Sequence, residues 1–312
     1  LYPIVIRYFC QFYPLITLTL FGRGGQAVKS AARIVSTAAF LGGYYVQDQP
    51  LYGAERRGAP ISAFIRISRE PILARGYISH PLFVVVADDS LLQEVTSPLR
   101  EITEDTVMFV NSTLDKEKIR SKYEIRNRVI TYDLTQMAID TVGEPIVGAA
   151  IAGVASKLID LNFEDVKQSL ALELKEIGIY DEELAKNIQL ARAAFDSIPS
   201  IKAEGEVSKE YEEKEVGIVE LKYHEPNVST CTITSPGNSR ARRTGDWSIY
   251  KPVIDYDNCT KCMICFVYCP DSAITIDKDG FPVVDYDMCK GCDICYTECP
   301  TKTITIARKI RE

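Results

Sequence analysis

Eight of the ten cysteines in this 312-residue chain fall between Cys259 and Cys299, and their spacing repeats. Cys259, Cys262, Cys265 and Cys269 recur at an offset of 30 residues as Cys289, Cys292, Cys295 and Cys299. Each half reads C-x2-C-x2-C-x3-C-P and closes on Pro270 or Pro300. The match extends outwards. Ile254-Asp255-Tyr256-Asp257 pairs with Val284-Asp285-Tyr286-Asp287, and Ala273-Ile274-Thr275-Ile276 with Thr303-Ile304-Thr305-Ile306. One supersecondary unit is therefore used twice. Disulfides crowded at two-residue gaps would be strained. A secreted disulfide protein also spreads its cysteines, whereas here only Cys10 and Cys231 lie elsewhere. Zinc ribbons use two cysteine pairs, not two sets of four.

The spacing is that of bacterial [4Fe–4S] ligation, in which the fourth cysteine serves the other cluster. Three thiolates on one short loop can hold three irons of a cubane. The fourth cysteine is expected to begin a helix aimed away from that loop. The assignment is cluster 1 on Cys259, Cys262, Cys265 and Cys299, and cluster 2 on Cys289, Cys292, Cys295 and Cys269. An α+β ferredoxin-like domain follows, each half a strand, a cluster loop, a short helix and a strand. Its core is thin, so the clusters should provide much of its cohesion. Two cubanes in one small domain make a one-electron relay. Phe266 and Tyr296, and likewise Tyr256 and Tyr286, occupy equivalent positions and are expected to shield the clusters from water.

The rest of the chain reads differently. At roughly 100–200 residues per domain, the length suggests two or three domains. Residues 15–21 alternate like a strand, and a helical pattern runs from Gln26 to Leu41. Strands are expected at 44–46, 61–67, 83–87, 107–110 and 129–132. Helices are expected near 90–101, 115–123, 134–159 and through 163–195. Strands alternating with helices predict a parallel α/β sheet over residues 1–200. Phe83-Val84-Val85-Val86 should be a strand covered on both faces. Residues 201–243, rich in Glu and Lys and then in Ser, Thr, Arg and Gly, read as a long linker. The ferredoxin-like domain occupies 244–312.

Gly22, Gly24 and Gly25 follow a strand and open a helix. Such a turn can present backbone N–H groups to an anion. Tight strand–helix packing is an equal reading, because no third glycine completes the dinucleotide fingerprint. Asp48 stands roughly where a ribose-binding acid could sit. Arg56 and Arg57 could clamp a carboxylate or phosphate, or pair with Glu55 or a partner chain. His80 and His224 are far apart, and no nucleophile–base constellation is present.

Composition excludes several classes. With 46% hydrophobic and 25% charged residues the chain is not predominantly disordered. A net charge of −7 gives no general reason to bind nucleic acid. Arg7, Gln11 and two prolines interrupt the apolar residues 1–21, so a buried lead-in strand is expected rather than a membrane anchor or signal. A cytoplasmic location is expected.

Two further stretches carry a resemblance. Gly22–Ala27, G-R-G-G-Q-A, and Tyr52–Pro60, Y-G-A-E-R-R-G-A-P, resemble the gamma subunit of 2-oxoacid:ferredoxin oxidoreductases. The tail from Thr244-Gly245-Asp246-Trp247 through both cysteine motifs resembles their delta subunit. Ala27 and Ala54 stand where that family commonly has Gly and Pro, and Ser248 where it often has Arg. The arrangement looks like a fused gamma–delta polypeptide, similar to that of oxalate oxidoreductase. The resemblance implies a gamma-type open sheet with flanking helices. It implies a reaction in which a 2-oxoacid is oxidatively decarboxylated on thiamine diphosphate and electrons pass to ferredoxin. The G-D-G…Asn-Asn thiamine diphosphate signature is absent here. That cofactor, with Mg2+, is expected on alpha- and beta-type partner subunits. Coenzyme A-using members would place the acyl acceptor near the gamma domain; an oxalate enzyme needs none. A dicluster relay of another anaerobic redox complex and a nicotinamide-dependent oxidoreductase are the alternatives.

Overall fold

The structure, a computed structural model, describes residues 15–51, 58–74, 76–94, 97–199 and 244–310. They form two compact units, one in the N-terminal stretches and the other over 244–310. The linker expected at 201–243 and most of the lead-in segment lie outside the described residues, as do Cys10, Cys231 and His224.

The first unit is built on a six-stranded sheet in the order β2-β3-β1-β4-β5-β6. β1 (Ile16–Arg23) leads into α1 (Val28–Leu41), followed by β2 (Tyr45–Pro50) and β3 (Pro60–Ser68). β4 (Phe83–Val86), β5 (Val107–Asn111), α2 (Lys116–Lys122) and β6 (Arg128–Tyr132) follow. Four helices close the unit: α3 (Leu134–Val142), α4 (Gly148–Leu158), α5 (Phe163–Glu176) and α6 (Asp181–Asp196).

Burial explains the strand chemistry. On β4, Phe83 and Val85 join the core under the helices, while Val84 and Val86 join a second core on the opposite face. Val107 and Phe109 divide from Met108 and Val110 in the same way on β5. Both strands are therefore continuous apolar runs with no solvated face. α4, GAAIAGVASKL, is buried on nearly every side and forms the centre of the helical layer. The Ser169 hydroxyl of α5 donates to the Ile34 carbonyl of α1 at 2.6 Å, which joins these two helices.

Three expectations need correction. The sheet is mixed, not parallel. β1, β4, β5 and β6 run parallel, but β3 pairs antiparallel with both β1 and β2. Only nine residues join β2, ending at Pro50, to β3, starting at Pro60, and a parallel crossover needs roughly a dozen or more. The helix expected near 90–101 is two 3-10 turns, Asp89–Gln93 and Pro98–Arg100. Asp88 and Ser97 each cap a new start with their side chains, and Pro98 cannot continue a preceding helix. The stretch 134–159 is two helices. Gly143, at φ 95°, ends α3, and Pro145 follows it.

The second unit repeats its own halves. β7 (Tyr250–Ile254), α7 (Ile264–Val267) and β8 (Ile274–Ile276) are matched by β9 (Pro282–Val284), α8 (Ile294–Glu298) and β10 (Ile304–Arg308). β7 pairs with β10 and β8 with β9, both antiparallel. Its aliphatic core is two equivalent pairs, Ile254 with Val284 and Ile274 with Ile304, packed among cysteines.

Candidate metal centre

The cysteine loops curl through residues held in the left-handed region. Lys261 and Met263 have φ of 56° and 61°, and their counterparts Gly291 and Asp293 have 60° and 62°. Each non-glycine residue in that conformation costs about 1–2 kcal/mol. Strain repeated at equivalent positions marks a site that the surroundings enforce. Beyond each motif, Ser272 and Lys302 are also left-handed, at 51° and 54°.

These loops wall two cavities. The first is lined by Cys259, Cys262, Cys265 and Cys299, with Ile254, Pro282 and Ile304. The second is lined by Cys289, Cys292, Cys295 and Cys269, with Pro252, Ile274 and Val284. Each cavity thus gathers three thiols of one motif and the last thiol of the other. The route differs from expectation in one respect. Cys269 and Cys299 come after α7 and α8, so the fourth cysteine follows a short helix rather than beginning one. Each helix leads to a thiol that lines the other motif's cavity.

All eight thiols are free of disulfides. Among the described residues, no three His, Cys, Asp or Glu side chains converge closely enough to ligate one ion. The sulfurs surround a volume rather than a point. Burial, reinforced by the charges of Cys289 and Cys292, pushes the Cys295 thiol up to about 12. Burial likewise raises Cys265 and Cys289. Burial also works against the Cys299 thiolate, but hydrogen bonds from Thr303 and Thr301 bring that thiol down to about 7. The thiolates of Cys265, Cys289 and Cys295 are therefore unfavourable until a cation offsets them. A thiolate-binding multinuclear metal group fits these donors and these apolar walls.

The aromatic residues are not among those lining either cavity. Phe266, Tyr296, Tyr256 and Tyr286 are all exposed. Tyr286 donates its hydroxyl to the Pro252 carbonyl at 2.9 Å, and Tyr256 packs edge-on against Phe281. Residues 244–248 brace the second loop instead. Gly245 N–H donates to Asp287 O at 2.7 Å and the Thr244 hydroxyl to Met288 O at 2.9 Å.

In the first unit, Gly22 touches α1 so closely that a Cβ there would lie 2.1 Å from Val28 Cγ2. The Gly24 amide donates to Ala59 O at 2.9 Å, across to the segment before β3, and the Gln26 amide to Arg23 O at 3.0 Å within the turn, so both are engaged within the chain. Gly25 supplies the reversal at φ 97°, and Ala27 enters α1 in the left-handed region. The methyl of Ala27 has room because Gly148 faces it; a Cβ on Gly148 would approach it to 2.7 Å. Arg56 and Arg57 lie outside the described residues.

Arg23, in the middle of this turn, escaped sequence reasoning, because nothing in an exposed-looking glycine turn signals a buried guanidinium. It is 2% exposed and donates to Ser90 Oγ, Gly58 O and Glu94 Oε1. Gln26 ties the same turn to Asp88. The polar groups at the carboxyl ends of β1 and β4 are thus bonded to one another.

Asp48 lies midway along β2, with β3 between it and β1, so the ribose-binding placement fails. Burial pushes its carboxyl up to about 6, against the Arg33 guanidinium and with help from Glu173. Its Oδ1 is buried without a hydrogen-bond partner. A carboxyl whose folded pKa exceeds its unfolded value loses stability as pH rises through the interval, here from about 4 to 6. Asp48→Asn should therefore stabilise the first unit above pH 6 by about 1–2 kcal/mol, allowing for partial exposure. The gain should fade towards pH 4, as urea unfolding at the two ends of this range will show.

No helix among the described residues is long and apolar enough to cross a membrane. Residues 17–197 match the family described as pyruvate ferredoxin/flavodoxin oxidoreductase, and residues 252–306 match the 4Fe-4S dicluster domain. The chain is 39% identical over 189 residues to the pyruvate/ketoisovalerate oxidoreductases common subunit gamma of Pyrococcus abyssi, covering 58% of this chain and 96% of that one. It is 36% identical over 154 residues to pyruvate synthase subunit PorC of Methanosarcina barkeri, covering 49% and 83%. The crystal structure of pyruvate oxidoreductase subunit PORC from Thermotoga maritima aligns with a TM-score of 0.51 and 27% identity, over 59% of this chain and 96% of that one. The chain belongs to the pyruvate ferredoxin/flavodoxin oxidoreductase family, as a gamma-type oxidoreductase subunit that continues into a 4Fe-4S dicluster domain.

Proposed function

We propose that this chain is the electron-relay subunit of a thiamine-diphosphate-dependent 2-oxoacid:ferredoxin oxidoreductase, with gamma- and delta-type parts in one polypeptide. The observation that carries this reading is the pair of four-cysteine cavities attached to a gamma-type unit. Cys259, Cys262, Cys265 and Cys299 ligate one [4Fe–4S] cluster, and Cys289, Cys292, Cys295 and Cys269 the other. The clusters supply one-electron transfer. Ile254, Pro282 and Ile304 exclude water from the first, and Pro252, Ile274 and Val284 from the second. The exposed Cys262 and Cys292 mark where each cavity meets the surface.

Thiamine diphosphate and Mg2+ belong to alpha- and beta-type partner subunits, and external ferredoxin receives the electrons in the cytoplasm. The turn at Gly22, Gly24 and Gly25, with Arg56 and Arg57, serves partner contact, since two of its amides are already bonded within the chain. The names of the relatives favour pyruvate or a branched 2-oxoacid as substrate. Oxalate is the second reading, supported by the fused arrangement. The native complex, purified without oxygen, should reduce viologen with pyruvate or 2-ketoisovalerate and coenzyme A. Reduction by oxalate without coenzyme A would select the second reading. No reduction by any 2-oxoacid would defeat the assignment to this complex.

A further inference from the structure

The internal repeat provides its own control. At equivalent lining positions the first cavity has Thr260, Thr301 and Thr303 where the second has Lys290, Asp271 and Ala273. Thr303 and Ala273 are true counterparts. The Thr303 carbonyl accepts from Asp255 N–H at 2.8 Å, and the Ala273 carbonyl from Asp285 N–H at 2.7 Å. Both side chains are buried. One half therefore buries a hydroxyl where its twin buries a methyl. A buried hydroxyl is costly unless it is hydrogen-bonded. Here Thr303 Oγ1 lies 3.4 Å from Cys299 Sγ and 3.2 Å from Thr301 Oγ1, which is itself 3.6 Å from the sulfur. Backbone N–H groups reach both sulfurs, from Ala273 to Cys269 at 3.3 Å and from Thr303 to Cys299, so the hydroxyls are what differs. A ligating thiolate carries no proton, so the sulfur accepts and the hydroxyl donates.

We propose that Thr303, backed by Thr301, raises the reduction potential of the cluster that Cys299 ligates and so sets it apart from its twin. This rests on the ligand sets proposed above. Reduction adds one electron to the cluster and its sulfurs, and the hydroxyl keeps its proton. A hydrogen bond to a ligand sulfur stabilises the more negative, reduced form more than the oxidised form. The second cavity has no such hydroxyl pair; its Lys290 is held by Asp271 at 2.5 Å.

The test is an EPR-monitored redox titration of the native complex carrying Thr303→Ala, Thr303→Val or Thr303→Ser, with iron content measured first. Alanine and valine should lower one of the two midpoint potentials. At a fixed ambient potential near that midpoint, the reduced-to-oxidised ratio should fall roughly five- to tenfold. Serine should restore it to within about twofold, and the other midpoint should stay in place. If alanine and valine cost iron, Thr301→Val should lower the same midpoint by a smaller factor. Unmoved midpoints in an iron-replete variant overturn the proposal. Failure of the ligand sets looks different: Cys299→Ser would leave intact the EPR signal whose midpoint Thr303 controls.

Discussion

Cys299→Ser and Cys262→Ser should abolish or alter the same EPR signal, although the two residues belong to different cysteine motifs. Cys269→Ser and Cys292→Ser should alter the other signal. In each variant the iron content should fall by roughly half, from about eight atoms per chain. The expectation comes from the cavity walls, where Cys299 stands with Cys259, Cys262 and Cys265, and Cys269 with the second motif. Cys262 and Cys292 are exposed, so replacing them removes a ligand with little loss of packing. Cys299 is buried, but serine retains its shape and an oxygen. Were Cys299→Ser instead to share its spectrum with Cys292→Ser, each motif would be self-contained and the crossed ligation would be wrong.

Oxidative removal of iron should unfold residues 250–308 while leaving the first unit folded. The contrast lies in the two cores. The first unit buries whole strands and the central helix α4 between two apolar layers. The second has two-stranded sheets of three to five residues per strand, and an aliphatic core of Ile254, Ile274, Val284 and Ile304. Two-stranded ribbons are marginal by themselves in water. Without a compensating cation the raised Cys265, Cys289 and Cys295 thiols must also remain protonated. Hydrogen exchange should show near-complete loss of amide protection across β7 to β10. Amides of β1, β4 and β5 should keep theirs. Retained protection in the iron-free second unit would mean that the thin core suffices.

The strands of the first unit were legible because their apolar runs are short, β-branched and bounded by turn residues, and β4 shows this best. The cysteine halves were legible because the offset of 30 residues holds over the whole repeat. Three features were not readable in this way. The antiparallel placement of β3 depends on which edge of β1 it pairs with, and periodicity carries no such information. The breaks at Asp88, Ser97 and Gly143 are capping decisions of single residues, hidden within stretches whose composition suits a helix. Arg23 is buried only because Ser90, Glu94 and the Gly58 carbonyl, distant in sequence, meet around it.

The crossed walls of the cavities also bear on the order of biosynthesis. The first cavity opens with Cys259 but is closed by Cys299, the last cysteine of the second motif, and among the described residues β7 finds its partner in β10. A nascent chain therefore cannot complete that pocket, or settle its first strand, until the second motif and β10 have left the ribosome. Metal loading at this site must wait for both motifs. A message truncated before Cys299 would leave its thiols without their fourth member, exposed to oxidation and to quality control.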